Sequence, residues 1–375
     1  MLKKAFKDRF QNKRVTVIGI GISNRPLIEM LVEAGALVTA CDKKTPEALG
    51  DAYGELLSLG VELSLGEGYL DGISADIIFR TPGMRYDHPA LTTACEKGAE
   101  LTSEMQVFFE LCPARIIGIT GSDGKTTTTT LIYKLLLAAG KTVYLGGNIG
   151  APLLPRLFGM TSEDFCVVEL SSFQLHTMTK SPDISVITNL SPNHLDYHTD
   201  EREYCDAKFN IFLHQDKSGV LVTNGAVRSH LDGYLEASLS HFSCDGKLLG
   251  TRRSFNGGTV YEKDGAIYCD GEFVMAVSDI RIPGRHNVEN YMAAIAATKG
   301  IVPFDIVKAL AQEFGGVEHR IEFVRELSGV RYYNSSIDSS PSRTLAALSA
   351  FGDEKLTVLL GGYDKILITP PLLWV

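Results

Sequence analysis

Residues 115–127 read Arg-Ile-Ile-Gly-Ile-Thr-Gly-Ser-Asp-Gly-Lys-Thr-Thr, and they are the strongest structural signal in the sequence. A β-branched run leads into a glycine-rich turn, and the turn opens into a helix. Backbone N–H groups at such a turn can cradle phosphates, while a lysine reaches the outer phosphates and a threonine hydroxyl faces Mg²⁺. The predicted nucleotide-binding residues are Gly121, Ser122, Asp123, Gly124, Lys125, Thr126 and Thr127. Because Gly118 lies one residue too early for the usual spacing, the sequence predicts a variant P-loop, with an ordinary strand–turn–helix as the alternative.

Two further polar clusters follow apolar strands downstream of this loop. Glu169 ends the run Val167-Val168-Glu169, and a carboxylate placed there is a natural Mg²⁺ ligand, or else a simple cap of the next turn. The segment 188–198 contains His194 and follows another apolar strand. Ligands bind beyond the carboxyl ends of strands in open α/β sheets, so both clusters are predicted to meet the P-loop. Lys208, taken alone, is typical of a solvated helix lysine.

The N-terminal region contains a weaker nucleotide-binding pattern. Gly19 and Gly21 follow a strand, and Asp42 lies about twenty residues further on. Asn24 occupies the position where a dinucleotide-binding fingerprint has its third glycine. The pattern therefore indicates some nucleotide or phosphate ligand, and it disfavours a nicotinamide dehydrogenase.

Composition excludes several classes of protein. The 375 residues have a net charge of −9, which argues against a nucleic-acid partner, and no apolar run is long enough to span a membrane. The N-terminus lacks the apolar core of a secretory signal. Seven cysteines without paired spacing fit a reducing compartment. We therefore expect a cytoplasmic enzyme without a membrane partner, and a monomer in preference to an oligomer.

The order of predicted elements indicates an α/β fold in three units. Strands alternate with helices in residues 1–112, and alternate again around the P-loop in residues 113–315, where 241–280 adds a small antiparallel patch. Residues 316–375 contain only a strand at Gly329–Tyr333, a helix at Pro341–Ala350 and a strand at Leu356–Leu360. The third unit is therefore expected to be incomplete.

Together these motifs resemble the Mur ligase family, over residues 14 to about 365. The matching stretches are GITGSDGKTTTT (118–129), GGNIG (146–150), VVELSSFQL (167–175), TNLSPNHLDYH (188–198), KFNIF (208–212), PGRHNVEN (283–290), GVEHR (316–320) and PSRTLAAL (341–348). The combination of VVELSSFQL with NHLDYH is similar to the branch that adds D-glutamate. The resemblance implies an N-terminal Rossmann-like domain that binds a UDP-linked substrate, a central P-loop ATPase-like domain and a C-terminal Rossmann-like domain that binds the amino acid.

The resemblance also implies the chemistry. Such ligases use ATP to convert the carboxylate of UDP-N-acetylmuramoyl-L-alanine into an acyl phosphate, which the amine of D-glutamate attacks, in peptidoglycan precursor synthesis. Lys125 is implied to act on the phosphates, and two Mg²⁺ ions are implied to be held by Thr126, Glu169, His194 and Lys208, the last as a carbamate. A carbamate turns a lysine into an oxygen donor that suits Mg²⁺.

The remaining implied sites are divided among three ligands. Asn287 and Arg320 are implied to contact the adenine nucleotide, and Asn148, Ser171 and Ser172 to lie at the muramoyl substrate. Lys365 is implied to contact D-glutamate. The residues implied to hold the UDP moiety are Ile22, Ser23, Asn24, Arg25, Asp42, Thr81, Pro82 and Gly83.

The third unit departs from the family pattern. Ser335 and Ile337 stand where the family usually has an aspartate and a lysine that reach the nucleotide, and the match ends after Lys365. We therefore expect the chain to be impaired in turnover. The alternatives are a nucleotide-binding remnant without catalysis and a P-loop kinase or ATPase acting on another substrate.

Overall fold

The computed structural model describes residues 1–191, 194, 197–225, 227, 231, 238–243, 259–337, 341–352 and 354–361. Lys365 and the segment 366–375 lie outside these residues. The helices are α1 Leu2–Phe10, α2 Asn24–Glu33, α3 Pro46–Leu49, α4 Asp51–Ser58, α5 Pro89–Glu96, α6 Glu104–Leu111, α7 Lys125–Ala138, α8 Ser172–Leu175, α9 Glu201–Leu213, α10 Arg285–Thr298, α11 Phe304–Glu313 and α12 Pro341–Ser349. The strands are β1 Arg14–Ile18, β2 Leu37–Asp42, β3 Glu62–Leu65, β4 Ile77–Phe79, β5 Glu100–Thr102, β6 Arg115–Thr120, β7 Val143–Gly147, β8 Phe165–Glu169, β9 Ile184–Ile187, β10 Val220–Asn224, β11 Ser238–Ser243, β12 Thr259–Lys263, β13 Ala266–Cys269, β14 Glu272–Ala276, β15 Glu322–Leu327 and β16 Val330–Asn334.

The first sheet is parallel and has the order β3-β2-β1-β4-β5. β1 is its central strand because Val15 to Ile18 are buried on both faces, as the short β-branched run predicts. The loops after β1 and β4 emerge at the same edge, since all five strands point the same way. The α/β prediction is confirmed here.

The second sheet has the order β14-β13-β12-β11-β10-β9-β6-β8-β7. It is parallel from β7 to β12, and the last two strands pair antiparallel, which confirms the antiparallel patch. Val167 and Val168, neighbours on β8, face two different hydrophobic clusters. Helices therefore cover both faces of the parallel part, and the strands are apolar throughout for that reason.

The third part differs from the expectation. β15 and β16 form an antiparallel hairpin, and most of their side chains are exposed. The strand predicted at Leu356–Leu360 is wrong: this segment adopts no strand, and Leu359 is 94% exposed. An apolar run forms a strand only when a neighbouring strand accepts its backbone hydrogen bonds, and the described residues provide none here.

The N-terminal segment forms a helix ahead of the first strand. Residues Leu2–Phe10 form α1, which buries Phe6 and Phe10 one helical turn apart. α6 was not predicted, although Ser103 caps it by accepting a hydrogen bond from the amide of Gln106. In the part of the chain that the structure describes, no helix is both long and apolar enough to cross a membrane.

Candidate functional site

The site lies where β6, β8 and β9 end side by side. β6 is hydrogen-bonded to both of the other strands, with Ile119 opposite Glu169 and Thr120 opposite Ile187. The P-loop therefore leaves the sheet between the two polar clusters that were predicted to meet it. Asn189, just after β9, fixes the loop, because its Oδ1 accepts from the amide of Asp123 at 2.8 Å.

Two glycines allow the loop to adopt its shape. Gly121 has φ 144°, and a Cβ there would lie 1.9 Å from Oγ1 of Thr188. Gly124 has φ 77°, and a Cβ there would lie 2.5 Å from Oδ1 of Asn290. Larger residues would displace the backbone that must approach a phosphate, so glycine is required at both positions for space as well as for conformation.

Two lysine ammonium groups meet inside the loop. Lys125 Nζ donates to the carbonyls of Gly121 and Ser122 at 3.0 and 2.9 Å, and Lys208 Nζ donates to the same Gly121 carbonyl at 2.9 Å. Lys208 is only 2% exposed, and Nζ also lies 4.7 Å from the ring centroid of Tyr204. Burial, and secondly the charge of Lys125, lower the pKa of Lys208 well below its ordinary value. Lys208 is thus a buried amine at the loop, and not a solvated surface charge.

Glu169 is a buried carboxylate with one oxygen to spare. The residue is 1% exposed, and its Oε1 accepts a hydrogen bond from Nδ2 of Asn148 at 3.0 Å. Among the described residues no donor reaches Oε2. A buried carboxylate oxygen without a partner costs free energy unless a cation or another donor meets it. Glu169 is thus suited to a metal ion.

His194 follows β9, the strand that pairs with β6 on the side opposite β8. It has φ 55°, a left-handed conformation that is uncommon outside glycine, and its carbonyl accepts the amides of Tyr197 and His198. Its ring packs edge-on against Phe173 with 5.0 Å between centroids. The nearby Ser172 Oγ hydrogen-bonds Nε2 of His198 at 2.9 Å, and Ser171 caps α8 through a capping box with Gln174.

One cavity of about 270 Å³ joins most of the predicted central residues. Its lining residues are Asp123, Gly124, Lys125, Thr126, Asn148, Glu169, Ser171, Ser172, Phe173, His194, Tyr204, Lys208, Arg320 and Ile337. Gly121, Ser122 and Thr127 form the loop and first helical turn behind it. All four residues implied as metal ligands face this one space.

The two residues implied at the adenine nucleotide are placed differently. Arg320 lines the cavity, whereas Asn287 is buried beside it. Asn287 Nδ2 donates to the Pro283 carbonyl, and Asn287 Oδ1 accepts from Nδ2 of Asn290, the residue that packs on Gly124. In this structure Asn287 therefore supports the P-loop through Asn290.

The residues implied at the UDP moiety gather at the carboxyl edge of the first sheet. Asp42 organises this edge, because its oxygens accept the amides of Ile20 at 2.7 Å and Lys44 at 2.9 Å. Asn24 Nδ2 donates to the carbonyls of Ile18 and Gly19. Ser23, Asn24 and Pro82 line a small cavity of about 50 Å³, whose other walls include Gly147 at the end of β7 and Gln174 in α8. Ile22 is 85% exposed, and Thr81 packs close to Gly19, where a Cβ would lie 3.2 Å from the Thr81 side chain.

Sequence reasoning missed several residues at these cavities. Tyr204 lies under the Lys208 ammonium, and its hydroxyl hydrogen-bonds Ser122 Oγ at 2.8 Å. Asn290 supports the P-loop, and Arg80 links the two sheets. Asn290 belongs to the PGRHNVEN stretch that was already singled out, and Arg80 directly precedes Thr81-Pro82-Gly83. Proximity to those motifs was the available signal.

Comparison with a family model and comparison with known protein sequences identify the same family. Residues 119–298 match the family model described as "Mur ligase middle domain". The chain is 49% identical to the UDP-N-acetylmuramoylalanine–D-glutamate ligase of Acetivibrio thermocellus, over 96% of this chain and 77% of that protein. It is also 49% identical to the enzyme of the same name from Clostridium botulinum strain Alaska E43, over 98% of this chain and 79% of that protein. The chain belongs to the Mur ligase family.

Solved structures of the Mur ligase family have the same fold at lower identity. The UDP-N-acetylmuramate–alanine ligase of Thermotoga maritima matches with a TM-score of 0.52 and 20% identity, over 91% of this chain and 77% of that one. The UDP-N-acetylmuramate:L-alanyl-gamma-D-glutamyl-meso-diaminopimelate ligase of Neisseria meningitides matches with a TM-score of 0.54 and 21% identity, over 82% of this chain and 99% of that one. These structural similarities support the fold. The branch of the family is indicated by the two relatives that are 49% identical to this chain.

Proposed function

We propose that this chain is an ATP-dependent amide-forming ligase, which joins D-glutamate to UDP-N-acetylmuramoyl-L-alanine in peptidoglycan precursor synthesis. The observation that supports this most is the cavity in which Lys125, Glu169, His194 and Lys208 face one another beside Asn148. A carboxylate is a poor electrophile, and a phosphate taken from ATP supplies its leaving group. Because the reaction consumes ATP, we propose that it takes place in the cytoplasm.

The residues at the cavity fit Mg²⁺. Glu169 Oε2 is buried without a donor among the described residues, and Thr126 lies at the start of the P-loop helix, on the same cavity. These are the hard oxygen donors that Mg²⁺ prefers. Thr126 and Glu169 would hold one ion, and His194 with a carbamylated Lys208 would hold the second. When bound, the ions neutralise charge on the transferring phosphoryl group.

The protein's own groups position the phosphates. The P-loop turn presents its backbone amides at the N-terminus of α7, where the helix dipole favours an anion. Lys125 has its ammonium folded onto the loop carbonyls, within reach of a phosphate placed on the turn. Most of the rate enhancement is then positioning and charge stabilisation by groups that the fold has already oriented.

The muramoyl substrate has to extend from the first sheet to this cavity. Its UDP end would bind at Ser23, Asn24, Asp42 and Thr81–Gly83, at the carboxyl edge of the first sheet. Its carboxylate would lie by Asn148 and Ser171 on the second sheet. The small cavity that is lined from both sheets lies between these two places.

The function is tested by measuring phosphate release from ATP with each substrate omitted in turn. Release that requires both UDP-N-acetylmuramoyl-L-alanine and D-glutamate, with an amide product seen by mass spectrometry, is the expected result. Release without D-glutamate would instead indicate a kinase or ATPase, and nucleotide binding without any product would indicate a non-catalytic remnant. The same assay decides the earlier expectation of impaired turnover.

Ile337 gives a prediction of its own. It lines the cavity beside Arg320 and is 42% exposed, and the family pattern has a lysine there. We expect Ile337→Lys to tighten ATP binding roughly tenfold, because a cation beside the phosphates makes a charge-assisted hydrogen bond. Isothermal titration calorimetry with ATP measures the change, and Ile337→Met is the matched control. Equal affinities for the lysine and methionine variants would contradict the prediction.

A further inference from the structure

Arg80 is a buried arginine between the two sheets, directly after β4. It is 2% exposed, and Nη1 donates to the carbonyls of Thr81 at 3.3 Å, Pro82 at 3.2 Å and, at closer range, Met84. These carbonyls belong to the turn at which the UDP moiety is proposed to bind. Nη1 therefore binds the carbonyls of this turn from its buried side, while Nε has no hydrogen-bond partner among the described residues.

The other side of the same guanidinium contacts the second sheet's loops. Nη2 donates to the carbonyl of Phe173 at 3.2 Å and to Oγ1 of Thr177 at 3.1 Å, in and just after α8. α8 begins immediately after Glu169, Leu170 and Ser171. Nη1 also lies 3.4 Å from the hydroxyl of Tyr197, which is within hydrogen-bonding distance of the Pro82 and Met84 carbonyls.

Arg85 makes a second connection from the same turn. Its guanidinium donates to the Tyr197 carbonyl at 2.6 Å and to both carboxylate oxygens of Glu203, at 2.9 and 3.1 Å. Glu203 lies in the first turn of α9, the helix that contains Lys208. The Arg85 guanidinium lowers the pKa of Glu203 to about 2. The segment 80–85 thus touches α8, Tyr197 and α9, the helix that contains Lys208.

Stability alone does not explain a charged residue at the position of Arg80. Among the residues that the structure describes, no carboxylate forms an ion pair with Arg80, and desolvation lowers its pKa from the ordinary arginine value. A buried guanidinium costs free energy that an apolar residue of similar size would avoid. Its five donors in a fixed plane can, however, orient two loops at once, which no apolar side chain can do.

We propose that Arg80 is a positioning residue that fixes the 81–84 turn relative to α8, so that the UDP end and the reacting carboxylate of the substrate are held at the correct separation. This inference rests on the proposed function. Arg80 therefore contributes to binding of the UDP-linked substrate. It does not contribute to binding of the nucleotide at the P-loop.

The test compares Arg80→Met, Arg80→Lys and the control Arg14→Met, which removes an exposed ion pair with Asp76 at the other end of β1. Calorimetry measures the dissociation constants of UDP-N-acetylmuramoyl-L-alanine and of ADP for each full-length variant. We expect Arg80→Met to weaken binding of the UDP-linked substrate on the order of tenfold or more, because several charge-assisted hydrogen bonds are lost. ADP affinity should not change. Arg80→Lys should recover part of the loss, since an ammonium can reach only one of the two loops.

Tyr197→Phe provides a milder variant in case Arg80→Met does not fold. It removes only the hydroxyl between Arg80 and the 81–84 turn, and a smaller loss of affinity for the same ligand is expected. A lower melting temperature with both dissociation constants unchanged would overturn the inference, because a purely structural role predicts that result. Wild-type chain that fails to bind the UDP-linked substrate would overturn it as well. Binding needs no turnover, so a chain that binds but forms no amide would contradict the proposed function alone.

Discussion

Replacing Lys125 by methionine should reduce phosphate release by about 100- to 1,000-fold, the range seen when one preorganised donor to a charged transition state is removed. Lys125 Nζ already lies on the P-loop, 2.9 Å from the Ser122 carbonyl, so the wild-type side chain needs little reorganisation to meet a phosphate. Methionine keeps the length of the side chain and removes its charge. ATP affinity should fall as well, because the outer phosphates lose a cation.

The fold should survive this change. The Gly121 carbonyl keeps Lys208 Nζ as a donor, and Asp123 remains fixed to Asn189. Lys134→Met is the matched control, since Lys134 is exposed on the same helix. Phosphate release and ATP affinity should be near wild type in the control. A Lys125→Met chain with wild-type ATP affinity and turnover would show that the P-loop does not bind the reacting nucleotide.

The P-loop could be predicted from sequence because its chemistry is local. Strand, glycine turn, lysine and helix are contiguous, and the conformations of Gly121 and Gly124 follow from their own lack of a side chain. The parallel strands were also readable, because burial on both faces makes them apolar throughout. The meeting of Glu169 with the P-loop required only the rule that parallel strands end at one edge.

Other features depend on contacts between distant segments, which a sequence does not display. Lys208 looks like a surface lysine until the fold places α9 under the P-loop, and only the family resemblance indicated it. Arg80 looks like an ordinary charge before a turn, and its contacts with both the 81–84 turn and α8 appear only in the folded structure. The strand predicted at Leu356–Leu360 failed for the complementary reason, since apolar character alone does not supply a pairing partner.

Lys208 should show opposite effects on stability and on turnover. Lys208→Met removes an amine whose charged form is disfavoured by burial. The two groups that Lys208 contacts keep other hydrogen bonds: the Gly121 carbonyl still accepts from Lys125 Nζ, and the Thr120 hydroxyl still donates to the Leu170 carbonyl. Methionine is similar in length and apolar, so the melting temperature should stay the same or rise by about 2–4 °C, which corresponds to roughly 1 kcal/mol in an unfolding unit of about 150–250 residues, such as the central one. Turnover should fall by about 100-fold or more if Lys208 holds a metal ion as proposed, because the reacting phosphate then loses part of its charge stabilisation.

A small carboxylate tests whether the group that matters at position 208 is a carbamate. Lys208→Ala leaves room beside Tyr204 and the P-loop, and added formate or acetate should restore part of the lost phosphate release if an oxygen donor is what the site needs. The exposed Lys217→Ala, just beyond α9, is the control and should neither lose turnover nor respond to carboxylate. Recovery with methylamine and none with formate would indicate that Lys208 acts as an ammonium. A Lys208→Met chain that is destabilised but turns over normally would show that Lys208 has only a structural role. The expected result, lost turnover without lost stability, is the pattern of a residue retained for function.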